Sequence, residues 1–424
     1  MYYQLHNKNY FKYIDIQFTM LIKEVSGEEI IDSRKERTIE VKIITDLGEF
    51  KASSPSGKST GKHENAPYKK SLNDDIITLK KFSDYFSEDN ISEFDELYKV
   101  EEIIKEKVGA NTLFAFESAV LKAVAKEKKK QVWQVVAESI NGKINRKNGK
   151  MPRLVGNCIG GGKHSLNSAT DKRPDFQEFL LIPETNSIIQ AIGINKDAQV
   201  NAGMILKNVD ENFKGNKNEE FAWLSSLNDK IVLEVLKDLK DNIYDERKLY
   251  LDEGIDIAAS GFCARKKYQY MNPKLTRTVE EQFDYLSALI ENFHLLYIED
   301  PFHEEDFEAF AKLTKKFPKR LIVGDDLIVT NVKRLEKAIK MKAVNAIIVK
   351  PNQNGSLLEV KRVCLLAKKA GLKTVFSHRS GETPEPILAD LAFGFQADFF
   401  KCGIAGKERE AKLNRLVEIE KGLK

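Results

Sequence analysis

A chain of 424 residues is too long for one small core and long enough for a β/α barrel with a companion domain. Hydrophobic residues at 42% and charged residues at 31% are an ordinary globular balance, which excludes long disordered, collagen-like and disulfide-framework readings. The 68 Lys and Arg against 64 Asp and Glu leave a net +4 spread along the chain, so no nucleic acid is demanded, and four scattered cysteines form no zinc spacing and suit a reduced, cytoplasmic setting.

Residues 1–19, rich in Tyr, Asn and Lys and without periodicity, read as an N-terminal extension. No run approaches the roughly 20 apolar residues of a membrane span, and no charged-then-apolar leader precedes a small-residue cleavage site. From Leu21 to Ser54 apolar and polar residues alternate around an Asp46-Leu47-Gly48 turn, which predicts an antiparallel meander. Helical periodicity follows over Asp74 to Phe86, Ser92 to Val108 and Leu113 to Lys128, so residues 20–150 read as an α+β capping domain. The Lys- and Asn-rich stretch Asn141 to Lys150 is the expected linker, and 151–424 the second domain.

In that second domain five short apolar runs end in Glu299, Asp325, Lys350, His378 and Lys401, at intervals of 26, 25, 28 and 23 residues with helical stretches between. One strand plus one helix per step predicts a β/α (TIM-like) barrel, whose parallel strands bring their C-terminal ends, and these five residues, to one mouth. A polar residue after a strand is ordinary, because loops are wet. Five in succession are less so, since carboxylates and ammonium groups buried together need a metal or ligand to balance them. Asp256, closing the run Gly254-Ile-Asp, adds a third carboxylate, and Asp256, Glu299 and Asp325 suit a hard divalent cation such as magnesium. The segment Ala52-Ser-Ser-Pro-Ser-Gly-Lys-Ser-Thr60 also fits a permissive phosphate-loop pattern, but no helix start follows it, so it reads as a Gly/Ser lid.

Ser377-His-Arg-Ser-Gly-Glu-Thr383, Ile298-Glu-Asp-Pro-Phe302, Val323-Gly-Asp-Asp-Leu327 and Ile348-Val-Lys-Pro-Asn-Gln353 resemble the enolase family, in family order, and Pro55 to Gly61, Gly161-Gly-Lys-His164 and Phe176-Gln-Glu-Phe179 agree. The resemblance runs from Met20 to Lys424 and implies an enolase-type barrel with an N-terminal α+β cap. It implies reversible dehydration of 2-phosphoglycerate to phosphoenolpyruvate, with two magnesium ions per site, one on the carboxylate triad and one shared with substrate. By position, Asp256, Glu299 and Asp325 resemble the metal ligands and Lys350 the general base. Glu178 resembles a catalytic group, and His164, Gln177, Ser59, His378, Arg379, Ser380 and Lys401 resemble substrate-contacting ones. Lys401 and a metal are expected to pull the Lys350 pKa toward working pH. A homo-oligomer, a dimer or an octamer of dimers, is implied by resemblance alone.

One segment departs from the family. Enolases carry Gly-Asp-Glu-Gly-Gly-Phe-Ala-Pro, whose Glu is the general acid, whereas this chain has Asn216-Lys-Asn-Glu-Glu-Phe-Ala-Trp223. Aligned on Phe221-Ala222, Asn218 replaces that Glu, and an amide cannot donate a proton in the same way. Glu219, Glu220 and Glu178 are the candidate replacements. Lys58, where the family lid commonly has Ala, and Gly261, where a Glu commonly follows Ala-Ala-Ser, are smaller departures. Two functions stand: a working lyase, and an enolase-fold binding or scaffold protein with weakened chemistry.

Overall fold

The computed structural model describes residues 20–58, 61–86, 90–140, 149–165 and 172–423, with the side chain of His164 excepted. The expected extension 1–19, Ser59 of the lid and most of the expected linker, 141–148, lie outside the described residues.

The N-terminal part begins with three antiparallel strands, Ile22–Ile31, Arg37–Thr45 and Gly48–Ser53, joined as a meander. Ile39, Val41 and Ile43 are fully buried at every second position, so one face of the sheet is apolar and must be covered. Helix Ala110–Glu127 covers it, with Phe116, Ala119, Val120 and Ala123 fully buried. Helix Leu72–Lys81 starts at the Ser71 cap, whose side chain accepts from the Asp74 N–H, and packs on the first strand. The long helices expected near residues 74–86 and 92–108 are each broken into a short α-helix and a 3₁₀ turn. No helix follows the lid until Leu72, which removes the phosphate-loop reading among the described residues.

The second part is a closed barrel of eight strands: Arg153–Gly160, Glu178–Pro183, Leu251–Asp256, Tyr297–Glu299, Leu321–Gly324, Ala346–Val349, Lys373–Ser377 and Phe399–Gly403, the last pairing back to the first. Val155, Leu180, Ile182, Tyr297, Val323, Ala346, Ile348, Val375 and Phe399 form one buried cluster that fills the interior. Helices such as Val279–Phe293, Val332–Met341 and Leu357–Lys369 form the outer layer, with Leu286, Leu335 and Val360 buried toward the sheet. The expected parallel repeat holds for the strands that carry Asp256, Glu299, Asp325, Lys350, His378 and Lys401. Strand Glu178–Pro183 runs antiparallel to both neighbours. Its first residue, not its last, therefore lies at the mouth where the other strands end.

Among the described residues no helix is long and apolar enough to cross a membrane. All four cysteines are free thiols.

Candidate active site

Three acidic residues meet at the mouth through strand register alone. Asp256 is paired with Glu299 on one side and with Glu178 on the other, so antiparallel entry of the Glu178 strand puts a third carboxylate in the row. Lys401, on the closing strand, reaches all three: its Nζ lies 3.0 Å from Glu178 Oε2, 2.9 Å from Asp256 Oδ2 and 2.8 Å from Glu299 Oε2. All four side chains are buried. Burial favours the neutral amine, but the three surrounding carboxylates hold the Lys401 ammonium well above its ordinary range. Burial and the adjacent Asp256 push the Glu299 carboxyl up to about 8, against the pull of Lys401. Tyr297 donates to Glu299 Oε2 at 2.6 Å, while Oε1 of the same carboxylate is buried without a hydrogen-bond partner.

Asp325 follows the next strand and pairs with Lys350 Nζ; Gln353 Nε2 donates to its other oxygen at 3.2 Å. Burial works against the Asp325 carboxylate, yet Lys350 outweighs it and keeps the group below its ordinary range. Burial, Arg379 and Lys401 all act to lower Lys350, as expected of nearby cations, but the ion pair with Asp325 outweighs them and holds the ammonium above its usual value. Asp300, Asp325 and Asp326 have oxygens within 4.8 Å of one another. Asp300, however, accepts from the Asp325 N–H at 3.0 Å and the Asp326 N–H at 2.8 Å, so its carboxylate is spent on shaping the turn after Gly324. Asp256, Glu299 and Asp325 stand on successive strands with an orphaned buried oxygen among them, and this all-oxygen donor set fits a hard cation such as magnesium.

On the opposite side, His378 is buried and, chiefly through burial, is held well below its ordinary pKa, so the imidazole is neutral. Arg379 Nη2 is bonded to both Glu64 oxygens, at 3.2 and 2.9 Å, and Nη1 to Asn352 Oδ1 at 3.2 Å. The lid is stitched over this segment. Ser56 and Gly381 exchange backbone hydrogen bonds at 2.7 and 2.9 Å, and the Lys58 N–H donates to Ser380 Oγ at 2.8 Å. A Cβ on Gly57 would come within 2.0 Å of Arg379 Nη2, so a larger residue there would have to displace the guanidinium from Glu64.

The loop that departs from the family places its acids differently. Asn218 Oδ1 accepts from the Glu220 and Ala222 N–H groups at 3.0 Å each, which makes it the pivot of a tight turn rather than a catalytic group. Glu219 turns outward to Lys58 of the lid at 2.7 Å. Glu220 is 1% exposed, accepts from Asn157 Nδ2 at 3.0 Å and approaches His378 Nε2 at 3.8 Å.

Of the residues named from the sequence, Gln177, Glu178, Asp256, Asp325, Lys350, His378, Arg379, Ser380 and Lys401 line one small cavity of about 40 Å³ together with Glu220. Glu299 lies fully buried beneath it in the Lys401 cluster, and Gln177 Nε2 donates to Asp256 Oδ2 at 3.4 Å. His164 sits in the turn Gly162–Ser165 with its side chain outside the described residues, as is the whole of Ser59. Sequence reasoning missed Glu64, Asn157 and Asn352. Glu64 lies in a loop, Asn157 inside a barrel strand and Asn352 three residues past one, and their partners are 315, 63 and 27 residues away, so no local signal marks them.

Comparison with known proteins agrees with this geometry. Residues 149–424 match the family model described as enolase, C-terminal TIM barrel domain, and residues 22–136 match enolase, N-terminal domain. A protein named enolase from Methanosphaera stadtmanae is 37% identical over 416 residues, covering 95% of this chain and 97% of the relative. The enolase of Pyrobaculum aerophilum is 34% identical over 410 residues, 94% of each chain, and that of Picrophilus torridus 36% identical over 410 residues, 95% and 99%. This chain belongs to the enolase family.

Proposed function

We propose that this protein interconverts 2-phosphoglycerate and phosphoenolpyruvate by reversible loss of water, a step of glycolysis and gluconeogenesis. The observation that carries the reading is the placement of Lys350 on the barrel wall directly across from Glu178, with Lys401 and the Asp256, Glu299 and Asp325 carboxylates between them. Such a site can take a proton from one face of a substrate carbon and return one to a leaving group at the other. Asp256, Glu299 and Asp325 would hold one magnesium ion, with a second shared with substrate, and bound magnesium supplies the positive charge that makes a doubly ionised enediolate accessible. Lys350 takes the C2 proton. Asp325 is shared between Lys350 and the ion site, so engaging it elsewhere releases the hold that keeps Lys350 protonated. Lys401 lends its charge to the developing oxyanion and keeps the buried acids from repelling one another. Arg379 and Ser380 receive the phosphate, the planar fork of Arg379 exchanging Glu64 for phosphate oxygens, while Ser59 and His164 contact substrate by family position. Gln177 and His378 complete the walls.

Family membership also supports a cytoplasmic homo-oligomer and a domain boundary in the stretch 141–150. Asn218, at the family's acid position, favours a second reading, an enolase-fold binding or scaffold protein with weakened chemistry. A coupled assay of the purified protein with 2-phosphoglycerate decides between them. We expect turnover with magnesium, silence after exhaustive chelation and recovery on adding magnesium back; a folded protein without turnover favours the second reading.

A further inference from the structure

We propose that Glu220 is the residue that protonates the departing C3 hydroxyl, two positions beyond the place where the family keeps its acid. This assignment rests on the reading of the site as a 2-phosphoglycerate dehydratase. Four observations converge on it. The turn held by Asn218 reverses the chain so that consecutive acids point apart: Glu219 reaches the lid at Lys58, and Glu220 enters the cavity. Phe221 sustains the reversal with a left-handed φ of 63°, anchored where its carbonyl accepts from Gln199 Nε2 at 2.9 Å. The strand beneath is cut to admit it, since a Cβ on Gly403 would lie 2.8 Å from the Glu220 carbonyl oxygen. The carboxyl itself is fixed by Asn157 and flanked by the neutral His378 at 3.8 Å, close enough to Glu178 for the two acids to act on each other.

Glu178 is the competing donor, since burial holds its carboxyl well above the ordinary range against the pull of the Lys401 ammonium at 3.0 Å, and the variants below decide between the two. In the step itself, the proton on Glu220 passes to the hydroxyl oxygen and the C3–O bond breaks. Water departs, and the electron pair of the enediolate becomes the C2=C3 double bond. Glu220 is left as carboxylate and regains a proton from solvent, while Lys350 sheds the one taken from C2.

The test separates the two half-reactions. In deuterated buffer with magnesium, loss of the C2 proton of 2-phosphoglycerate is followed by NMR, alongside formation of phosphoenolpyruvate, for the parent and for Glu220→Gln, Glu220→Asp and Glu178→Gln. Glu220→Gln is expected to keep C2 exchange within a few-fold while dehydration falls by about 100-fold or more, the usual share of a general acid. Glu220→Asp should recover part of the dehydration and serves by the same criteria if the Gln variant does not melt like the parent. Dehydration within a few-fold of the parent in Glu220→Gln overturns the assignment, as does joint loss of exchange and dehydration in a normally melting variant. Selective loss of dehydration in Glu178→Gln with none in Glu220→Gln overturns it too, in favour of Glu178. A parent protein that neither exchanges nor dehydrates overturns the reading of the whole site, an outcome visible before any variant is made.

Discussion

The two halves of the site are built by different means. Asp256, Glu299, Asp325, Lys350 and Lys401 lie in or directly after barrel strands, where register and the closed hydrogen-bonded sheet set their positions. Gly57, Lys58, Glu219 and Glu220, by contrast, are carried by loops and owe their places to individual side-chain hydrogen bonds. By the motif resemblance, the departures fall in the loop-borne half, at Asn218, Glu219, Glu220 and Lys58. A loop can move a functional group by one or two positions and recover it by turning the chain; a strand cannot, because a one-residue slip sends the side chain to the other face.

Breaking the strand-borne half should have the largest effects. Lys350→Ala is expected to lower turnover by about 1,000-fold or more while unfolding stays cooperative, as read by the coupled assay and a thermal melt. Activity within a few-fold of the parent would remove Lys350 as base. Lys401→Ala should be the most destabilising change in the site. It leaves Glu178, Asp256 and Glu299 buried without their counter-ion, at a cost of about 3–5 kcal/mol in denaturant unfolding. A loss below about 1 kcal/mol would mean that the cluster is not held together by charge.

The segment leading into the antiparallel strand offers a pH test. Asp229 accepts the Phe176 N–H at 2.9 Å, and burial pushes its carboxyl up to about 8. A carboxyl whose pKa is raised on folding stabilises the native state when protonated, so this contribution is full below about 4 and is lost as the pH climbs through about 8. Asp229→Asn keeps an acceptor for Phe176 and should flatten that decline, melting above the parent at pH 9 and close to it at pH 5. Parallel melting curves across that range would sink the assignment. The smallest effect is expected at the loop-borne contact between Lys58 and Glu219. Lys58→Ala should shift stability by less than about 1 kcal/mol, as befits a partly exposed pair, and raise KM a few-fold by loosening the lid. An unchanged KM would deny the pair any part in closure.

Much of the strand-borne half was legible before the fold was known. Short apolar runs ending in Glu299, Asp325 and Lys350 are a local pattern, because the polarity switch falls where each strand leaves the barrel wall. The same reading gave no direction for the strand of Glu178, and so did not explain why that residue, at the start of a strand, belongs beside Asp256 at its end. It saw the cations that lower Lys350 but not the ion pair with Asp325 that outweighs them.

Composition and periodicity by themselves determined a two-part α/β chain with a repeated strand–helix unit and a ring of polar strand ends, since burial imposes those patterns on neighbouring residues. Only the tertiary structure decided that Lys401 ties together three carboxylates from three other strands, that Arg379 rests on Glu64, and that Glu220 rather than Glu219 faces inward. Those outcomes depend on pairings between residues scores to hundreds of positions apart and on one left-handed residue in a loop. Neither leaves a periodic trace along the chain, because the energy that selects them arises only when the barrel closes and the groups lose their water.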